Sequence, residues 1–404
     1  MAVRRPVTAS TFMYPWDLAD MGVREALTRL QDEGYGAFEL TACYHPITLH
    51  MPGAPGRRMM QMDDGGVFFP ARADRYGRIA PRLYPEGKVL AAWPQAAEVA
   101  SDLGLDMNSW TVALYQPWIA QAYPHTARVM PHGQVNFAGV CPTCPDVQEF
   151  LAILVGDLAE QFPVRTVQLE GVNHPFYDTG WRLQRVMYDL SPFSRWLASL
   201  CFCESCIAAA TARGVAVQRL RASVCAELET LYLDDDPHAG RSFDEAHGER
   251  LAADADYAEF IAMRRDACVQ LVRGVTEALH AARPSAALGI WGPQEFDGTY
   301  IDLDRVIDVI GVLQTRQPLI APDNARAARE LADVHGMRVT AVHWCGGRIG
   351  PPWGPGFEEA IASSVAAGID QINLFNWAML RPETARQIVP LLRRLEAEHA
   401  AAAA

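Results

Sequence analysis

The order of sequence patterns predicts a (β/α)8 TIM barrel, in which eight parallel strands form a closed cylinder covered by helices. Short apolar runs typical of buried strands alternate with amphipathic runs typical of covering helices along most of the 404 residues. No strand is followed by either glycine-rich loop, G-x-G-x-x-G or G-x-x-x-x-G-K-[ST], that marks open nucleotide-binding sheets. A closed barrel is therefore favoured over an open, doubly wound sheet.

The predicted strands are short apolar runs of the length expected for buried parallel strands. They cover residues 9–14, 37–42, 106–114, 166–170, 287–291, 306–313, 339–344 and 371–375. Amphipathic patterns with helical spacing lie between them and after the last one. They cover residues 23–30, 147–158, 260–282, 325–334, 357–367 and 382–399.

Two long insertions account for the length of the chain. Eight strand–helix units need about 250 residues, which leaves roughly 150 for insertions. Residues 44–90 follow the second strand, and residues 171–257 follow the fourth. Ligand sites of this fold lie at the carboxyl ends of the strands. We therefore expect one barrel domain over residues 1–404, with both insertions around its mouth.

Composition excludes several classes of partner. The chain has 48 acidic and 35 basic residues, a formal net charge of −13, and no stretch rich in Lys or Arg. Nucleic acid is therefore not an expected partner, because binding it depends on neutralising phosphates. No run approaches the roughly 20 apolar residues of a membrane span, and no signal-peptide pattern follows Met1. We expect a cytoplasmic protein. The sequence leaves open whether it forms a homo-oligomer.

The cysteines are the most specific signal in the sequence. Cys201, Cys203 and Cys206 place three thiols within six residues, a spacing that lets one turn surround a tetrahedral Zn²⁺ ion. A fourth ligand must come from elsewhere, and Cys141 and Cys144 are both candidates. Four thiolates leave no open position, so the zinc is predicted to be structural. The remaining cysteines are predicted to be core residues.

These residues resemble the zinc-containing beta-galactosidases of glycoside hydrolase family 42. The resemblance covers residues 137–210: a lone cysteine before a helix, at Cys141, then a strand ending in a glutamate, at Glu170, then the cysteine triplet. It implies that Glu170 is a catalytic glutamate and that Cys141 and the cysteine triplet hold zinc. The family has Asn-Glu where this chain has Leu169-Glu170, and it has a nucleophilic glutamate on the seventh strand, where residues 339–345 contain no carboxylate.

Glycoside hydrolysis usually requires two carboxyl groups, one to protonate the leaving oxygen and one to activate water or attack carbon. Glu170, at the end of the fourth strand, is the predicted general acid. The partner must come from a strand other than the seventh. Its candidates at strand ends are Asp17, Glu39, Asp178, Glu295 and Asp297, of which Asp17 and Glu295 are preferred as alternatives to Glu170.

Aromatic and neutral polar residues are dense at the predicted strand ends. A sugar presents apolar C–H faces and a rim of hydroxyls, so flat rings and neutral donors suit it. The predicted carbohydrate-binding residues are Trp16, Glu39, Tyr44, His45, Trp110, His174, Gln314, His343, Trp344, Asn376 and Trp377.

Two other functions remain open from the sequence. His45 and His343 with Glu39 and Glu170 could hold a catalytic divalent metal, as in sugar isomerases and epimerases with barrels like that of xylose isomerase. The second-strand segment 34–40 resembles the pattern of those enzymes. Alternatively, the absence of a carboxylate on the seventh strand is typical of a carbohydrate-binding pseudoenzyme.

Overall fold

The computed structural model describes residues 6–177, 187–292, 302–317, 324–346 and 350–402. Its strands in chain order are β1 (Thr8–Met13), β2 (Ala37–Tyr44), β3 (Ile47–His50), β4 (Met59–Met62), β5 (Gly66–Val67), β6 (Asp106–Val112), β7 (Ala127–Val129), β8 (Val135–Val140), β9 (Thr166–Glu170), β10 (Ala287–Trp291), β11 (Val312–Gln317), β12 (Arg338–Trp344) and β13 (Gln371–Phe375).

Thirteen α-helices are described along the same parts of the chain. They are α1 (Pro15–Met21), α2 (Val23–Asp32), α3 (Gly87–Leu103), α4 (Pro117–Ala122), α5 (Pro145–Gln161), α6 (Pro192–Ala198), α7 (Glu204–Ala212), α8 (Val217–Leu233), α9 (Phe243–Ala253), α10 (Ala255–Ala282), α11 (Asn324–His335), α12 (Pro355–Ala367) and α13 (Pro382–Ala402). Every helix predicted from the sequence corresponds to one of them.

Eight parallel strands close into a barrel, as predicted. Their order is β1, β2, β6, β9, β10, β11, β12 and β13, and β13 pairs again with β1. The closing pair aligns Thr8 with Gln371, and β1 meets β2 where Phe12 aligns with Glu39. The carboxyl ends of all eight strands therefore surround one mouth.

The first residue of one predicted strand was wrong. The sixth barrel strand starts at Val312, not at residue 306. Leu303–Arg305 forms a 3-10 turn, and the backbone N–H of Ile310 donates to the Val306 carbonyl in a helix-like turn. Val306 and Ile310 are buried in that turn, and apolar content alone does not distinguish a buried turn from a strand.

The insertions contain regular structure of their own. Between β2 and α3 lie the β3/β4 hairpin and β5, which pairs antiparallel with β2. Between β9 and α10 lie α6 to α9. A third excursion after β6, not recognised in the sequence, contains α4 and the β7/β8 hairpin. One domain over the whole chain stays a prediction.

Alternation along the strands divides the apolar residues into two cores. The larger core lies between the barrel and its helices and includes Val339 and Ala341 of β12. The smaller core lies inside the barrel near its mouth and includes Val342 of the same strand, together with Tyr14 and Trp110. We call this smaller set the mouth cluster.

The β3/β4 hairpin packs on the mouth cluster. Leu49 and Met60 of the hairpin belong to that cluster. Gly53, in the connecting turn, donates its N–H to the Ala378 carbonyl at 2.9 Å, beyond the end of β13. A Cβ atom at position 53 would lie 3.0 Å from the same oxygen, so glycine permits this close approach.

None of the described helices is both long and apolar enough to cross a bilayer.

Candidate functional site

Glu170 ends β9 at the mouth of the barrel and is half-buried. The indole N–H of Trp110, on the neighbouring strand β6, donates to Glu170 Oε2 at 2.8 Å. Burial and the charge of Glu170 are among the causes that raise the pKa of both Tyr14 and Tyr44. The two tyrosines therefore lie near this carboxylate and keep their hydroxyl protons at neutral pH, so both can act as hydrogen-bond donors.

An aromatic wall adjoins Glu170. Tyr14 stacks on Trp16 with ring centroids 4.4 Å apart, and Tyr44 meets Trp110 edge-on at 4.6 Å. His45 stacks on Tyr44 at 4.1 Å, and burial lowers its pKa to about 4. His45 is therefore neutral near pH 7, like the rest of the wall.

Three further predicted binding residues lie on strands or strand ends around the barrel. Trp344 contacts Phe375 with ring centroids 5.6 Å apart. Gln314 is buried on β11. It lies two residues beyond Val312, so the side chains of these two residues are on the same side of the strand. Asn376 is buried and accepts the backbone N–H of Ala378. Glu295, Asp297 and Asp178 lie outside the described residues.

Asp17 occupies the first turn of α1 beside the mouth cluster. Its Oδ2 accepts the backbone N–H of Tyr14 at 2.9 Å and so caps the helix. Its Oδ1 is buried and has no hydrogen-bond partner among the described residues. Burial raises the pKa of Asp17 to about 7 against the lowering effect of the Tyr14 N–H.

Glu39 points into the barrel, away from the layer of Glu170. Its Oε1 accepts from Asn108 and from Gln371, each at 3.1 Å. Asn108 precedes Val112, the register partner of Glu170, by four residues, or about 13 Å along β6. Burial raises the pKa of Glu39 to about 8. Glu39 therefore lies deeper in the barrel than Glu170, and its contact with a ligand stays a prediction.

Three other predicted binding residues face away from the mouth. His343 Nε2 lies 3.0 Å from Ser364 Oγ of α12, because alternation along β12 turns residue 343 outward and 344 inward. Trp377 donates to Glu33 Oε2 at 3.0 Å, beside α2. His174 lies against α10, next to the cysteine cluster, where burial lowers its pKa. A position near a strand end did not determine side-chain direction.

Several mouth residues were not selected from the sequence. Tyr14 contacts Trp16, Tyr44 and Trp110, and the charge of Glu170 contributes to raising its pKa. Phe12 and Phe375 pack on Trp110 at 4.6 and 5.4 Å. The two-residue spacing of Phe12, on β1, and Tyr14, directly after that strand, was the signal that could have found these two residues.

The second site is a cluster of four buried thiols, Cys141, Cys201, Cys203 and Cys206, whose Sγ atoms all lie within 4.8 Å of one another. Sγ of Cys141 is 3.4 Å from that of Cys206 and 4.0 Å from that of Cys201. Four sulfurs bound to one ion by bonds of about 2.3 Å stand about 3.8 Å apart, so the cluster fits a tetrahedral metal.

Local structure brings these thiols together. Cys141 directly follows β8, and its backbone N–H donates to the Thr126 carbonyl at 2.9 Å. Cys203 is the N-cap of α7, and Cys206 lies in the first turn of that helix. The backbone N–H of Phe202 donates to the Val129 carbonyl of β7 at 2.7 Å.

Cys144 is not part of the four-thiol cluster. It lies with His125 and Asp146 in a separate group whose ligand atoms are within 4.8 Å of one another. The geometry therefore selects Cys141 over Cys144 as the fourth thiol. In the four-thiol cluster, burial raises the pKa of Cys201, but hydrogen bonds from the other thiols and the charge of Arg128 outweigh it and hold that pKa well below its usual range.

Neither a protein-family model nor a curated protein sequence matches the chain. Solved structures match its fold. Alpha-L-fucosidase isoenzyme 2 from Paenibacillus thiaminolyticus is 14% identical with a TM-score of 0.56, over 98% of this chain and 50% of that one. The beta-galactosidase from the psychrophilic Marinomonas ef1 is 12% identical with a TM-score of 0.58, over 98% and 60%.

A third match is the glycoside hydrolase domain of PgaB from Bordetella bronchiseptica, 12% identical with a TM-score of 0.54, over 96% of this chain and 99% of that one. The chain spans only 50% and 60% of the fucosidase and the Marinomonas galactosidase. At these identities the likeness shows the fold, a barrel of the kind found in glycoside hydrolases.

Proposed function

We propose that the protein is a glycoside hydrolase acting on a small glycoside or oligosaccharide, with Glu170 as the general acid. The observation that carries the proposal is the position of Glu170 at the carboxyl end of a barrel strand, bonded to Trp110 and adjoining an aromatic wall. A carboxyl group beside flat rings can hold a sugar and reach its glycosidic oxygen. The glycosidase barrels found among solved structures support the same class.

The second carboxylate is proposed to be Asp17 or Glu295. Asp17 is favoured among described residues because it adjoins Tyr14 and has one carboxylate oxygen without a partner. Its other oxygen caps α1, which ties that oxygen to the backbone. Glu295 is proposed only from its place in sequence after β10.

The four-thiol cluster is proposed to hold a structural zinc ion, as in the family 42 galactosidases that the sequence resembles. Cys141, Cys201, Cys203 and Cys206 would be its ligands. Thiolates are the usual ligands of structural zinc, and four of them leave no position for a substrate. The ion would join the β7/β8 hairpin to the segment before α7, away from the chemistry at the mouth.

A carbohydrate-binding protein without hydrolytic activity is the second candidate, favoured by the absence of any carboxylate on β12. The isomerase alternative loses support, because Glu39 and His343 are turned away from His45 and Glu170 by the contacts described above.

The test is hydrolysis of a panel of aryl glycosides, combined with calorimetric titration of the corresponding monosaccharides. Hydrolysis of one glycoside together with binding of its sugar is the expected result. Sugar binding without hydrolysis would support the binding protein, and activity dependent on an added divalent ion would support the isomerase. If no sugar binds and no glycoside is cleaved, the proposed function is wrong.

A further inference from the structure

Three side chains of the kinds that bind metals meet beside the four-thiol cluster: His125, Cys144 and Asp146. One ligand atom from each lies within 4.8 Å of the other two. His125 Nε2 is 2.7 Å from Asp146 Oδ2. Donor atoms bound to one tetrahedral ion by bonds of about 2.0 to 2.3 Å stand about 3.3 to 3.8 Å apart. Small side-chain rotations therefore bring these three atoms to coordinating distance.

The backbone holds the three residues together. His125 lies in a 3-10 turn, and the carbonyl of the next residue, Thr126, accepts the backbone N–H of Cys141 at 2.9 Å. Cys144 donates its own N–H to the Cys141 carbonyl at 3.1 Å. It is also the N-cap of α5, whose first turn contains Asp146. The three ligands are thus preorganised, which lowers the cost of gathering them around an ion.

The group is buried on one side and open to solvent on the other. Cys144 is 2% exposed, whereas the side chains of His125 and Asp146 are 35% and 23% exposed. Burial raises the pKa of Asp146, but hydrogen bonds from His125 and Arg78 outweigh it, so the pKa is lowered and the carboxylate is ionised. Burial also raises the pKa of the Cys144 thiol, which a bound cation would reverse.

One cation already contacts the carboxylate. Arg78 Nη1 lies 3.2 Å from Asp146 Oδ2, the same oxygen that contacts His125. The Arg78 side chain is 70% exposed, so this ion pair is weak and can be displaced. Arg78 therefore competes with a metal ion for Asp146.

We propose that His125, Cys144 and Asp146 form a second metal site, which binds Zn²⁺ and exchanges it with solution. Imidazole nitrogen, thiolate and carboxylate oxygen are all ligands of zinc. Three protein ligands leave the fourth position to water, whereas the four-thiol cluster has no open position. The second site does not depend on a metal in that cluster. Its ion is lost on dialysis, so zinc retained through purification belongs to the four-thiol cluster.

The experiment titrates Zn²⁺ into the dialysed full chain and follows binding by calorimetry. We expect the wild type to take up one further ion per chain. His125→Ala should weaken this step by more than about 10-fold, because it removes a direct ligand. Arg78→Ala should strengthen it about 2- to 5-fold, because it frees Asp146. An unchanged melting temperature shows that each variant folds.

His132→Ala is the matched control. His132 Nε2 lies 2.9 Å from Glu229 Oε1, and its side chain is 24% exposed, so it forms a similar histidine–carboxylate pair. No third ligand completes that pair in the described part of the chain. His132→Ala should therefore leave the uptake of the further ion unchanged.

Co²⁺ identifies the ligands, because a bound thiolate gives a charge-transfer band in the near ultraviolet. The further step should show this band in the wild type and in Cys268→Ser, and lose it in Cys144→Ser. No further ion in the wild type, or equal effects of His125→Ala and His132→Ala, would overturn the proposal. An empty four-thiol cluster is a different failure, since the step that His125→Ala weakens still reports the second site.

Discussion

The barrel mouth and the four-thiol cluster differ in how their residues come together. Three of the four thiols lie within six residues of sequence, and the fourth follows the adjoining strand β8. The mouth cluster draws side chains from β1, β2, β6, β10 and β12. A site built from one turn is specified locally, whereas a site built from many strands depends on the direction of each side chain.

Loss of the carboxyl group at the mouth should give the largest effect. Glu170→Gln keeps the shape and can still accept from Trp110, but it removes the proton required by the leaving oxygen. We expect kcat to fall about 10²- to 10⁴-fold for glycosides with poor leaving groups, and less for activated aryl glycosides. Steady-state kinetics on both substrate classes checks this.

Equal losses on both substrate classes would point to a structural glutamate. Wild-type rates on a poor-leaving-group glycoside that the parent cleaves would transfer the acid role to Glu295 or Asp17.

At the cluster, the expected effect falls on metal content and stability. Cys203→Ser should reduce bound zinc from about one ion per chain to near zero, and lower the melting temperature more than the turnover of the remaining folded protein. Elemental analysis and calorimetry measure both. Cys268→Ser is the control, a buried cysteine outside the four. If the wild-type protein, purified without chelator, contains no zinc, the proposed zinc site is wrong.

Adjacent residues on β12 test the role of side-chain direction. Trp344→Ala should weaken sugar binding about 10-fold, because it removes an inward aromatic face. His343→Ala should leave sugar binding within about twofold and lower stability by about 1–3 kcal/mol, because it removes the partner of buried Ser364. Calorimetric titration and chemical denaturation separate the two. Equal effects on binding would show that the outward position of His343 is wrong.

Glu39 should make the stability of the fold depend on pH. Burial raises its pKa from an ordinary 4.5 to about 8, so the folded chain retains a proton that the unfolded chain has lost. Stability contributed by this group is therefore full below about pH 4.5 and declines as the pH rises towards 8. Glu39→Gln should flatten that decline. Denaturant unfolding at a series of pH values measures this. Identical pH profiles of stability for the variant and the wild type would refute the raised pKa of Glu39.

Sequence periodicity was sufficient to predict the barrel, because each barrel strand has only to be apolar and parallel to its neighbours. The exception, the strand now beginning at Val312, shows the limit, since a buried turn has the same composition. The cysteine cluster was predicted almost completely from spacing. Only the choice between Cys141 and Cys144 required the fold.

The mouth was predicted less well for a geometric reason. A shift of one residue along a strand reverses the direction of a side chain, so Trp344 and His343 separate although they are neighbours. Trp377 and His174 lie beyond strand ends, where alternation gives no guide.

The positions of the ligands have a topological consequence. Cys141 and Cys201 are 60 residues apart, and the chain between them contains α5, β9 and Glu170. A metal bridging them closes this segment into a loop, and the entropy removed from the unfolded chain by closing such a loop corresponds to about 4 kcal/mol. With the ion bound, the strand that carries Glu170 should be among the last in the barrel to lose protection against hydrogen exchange.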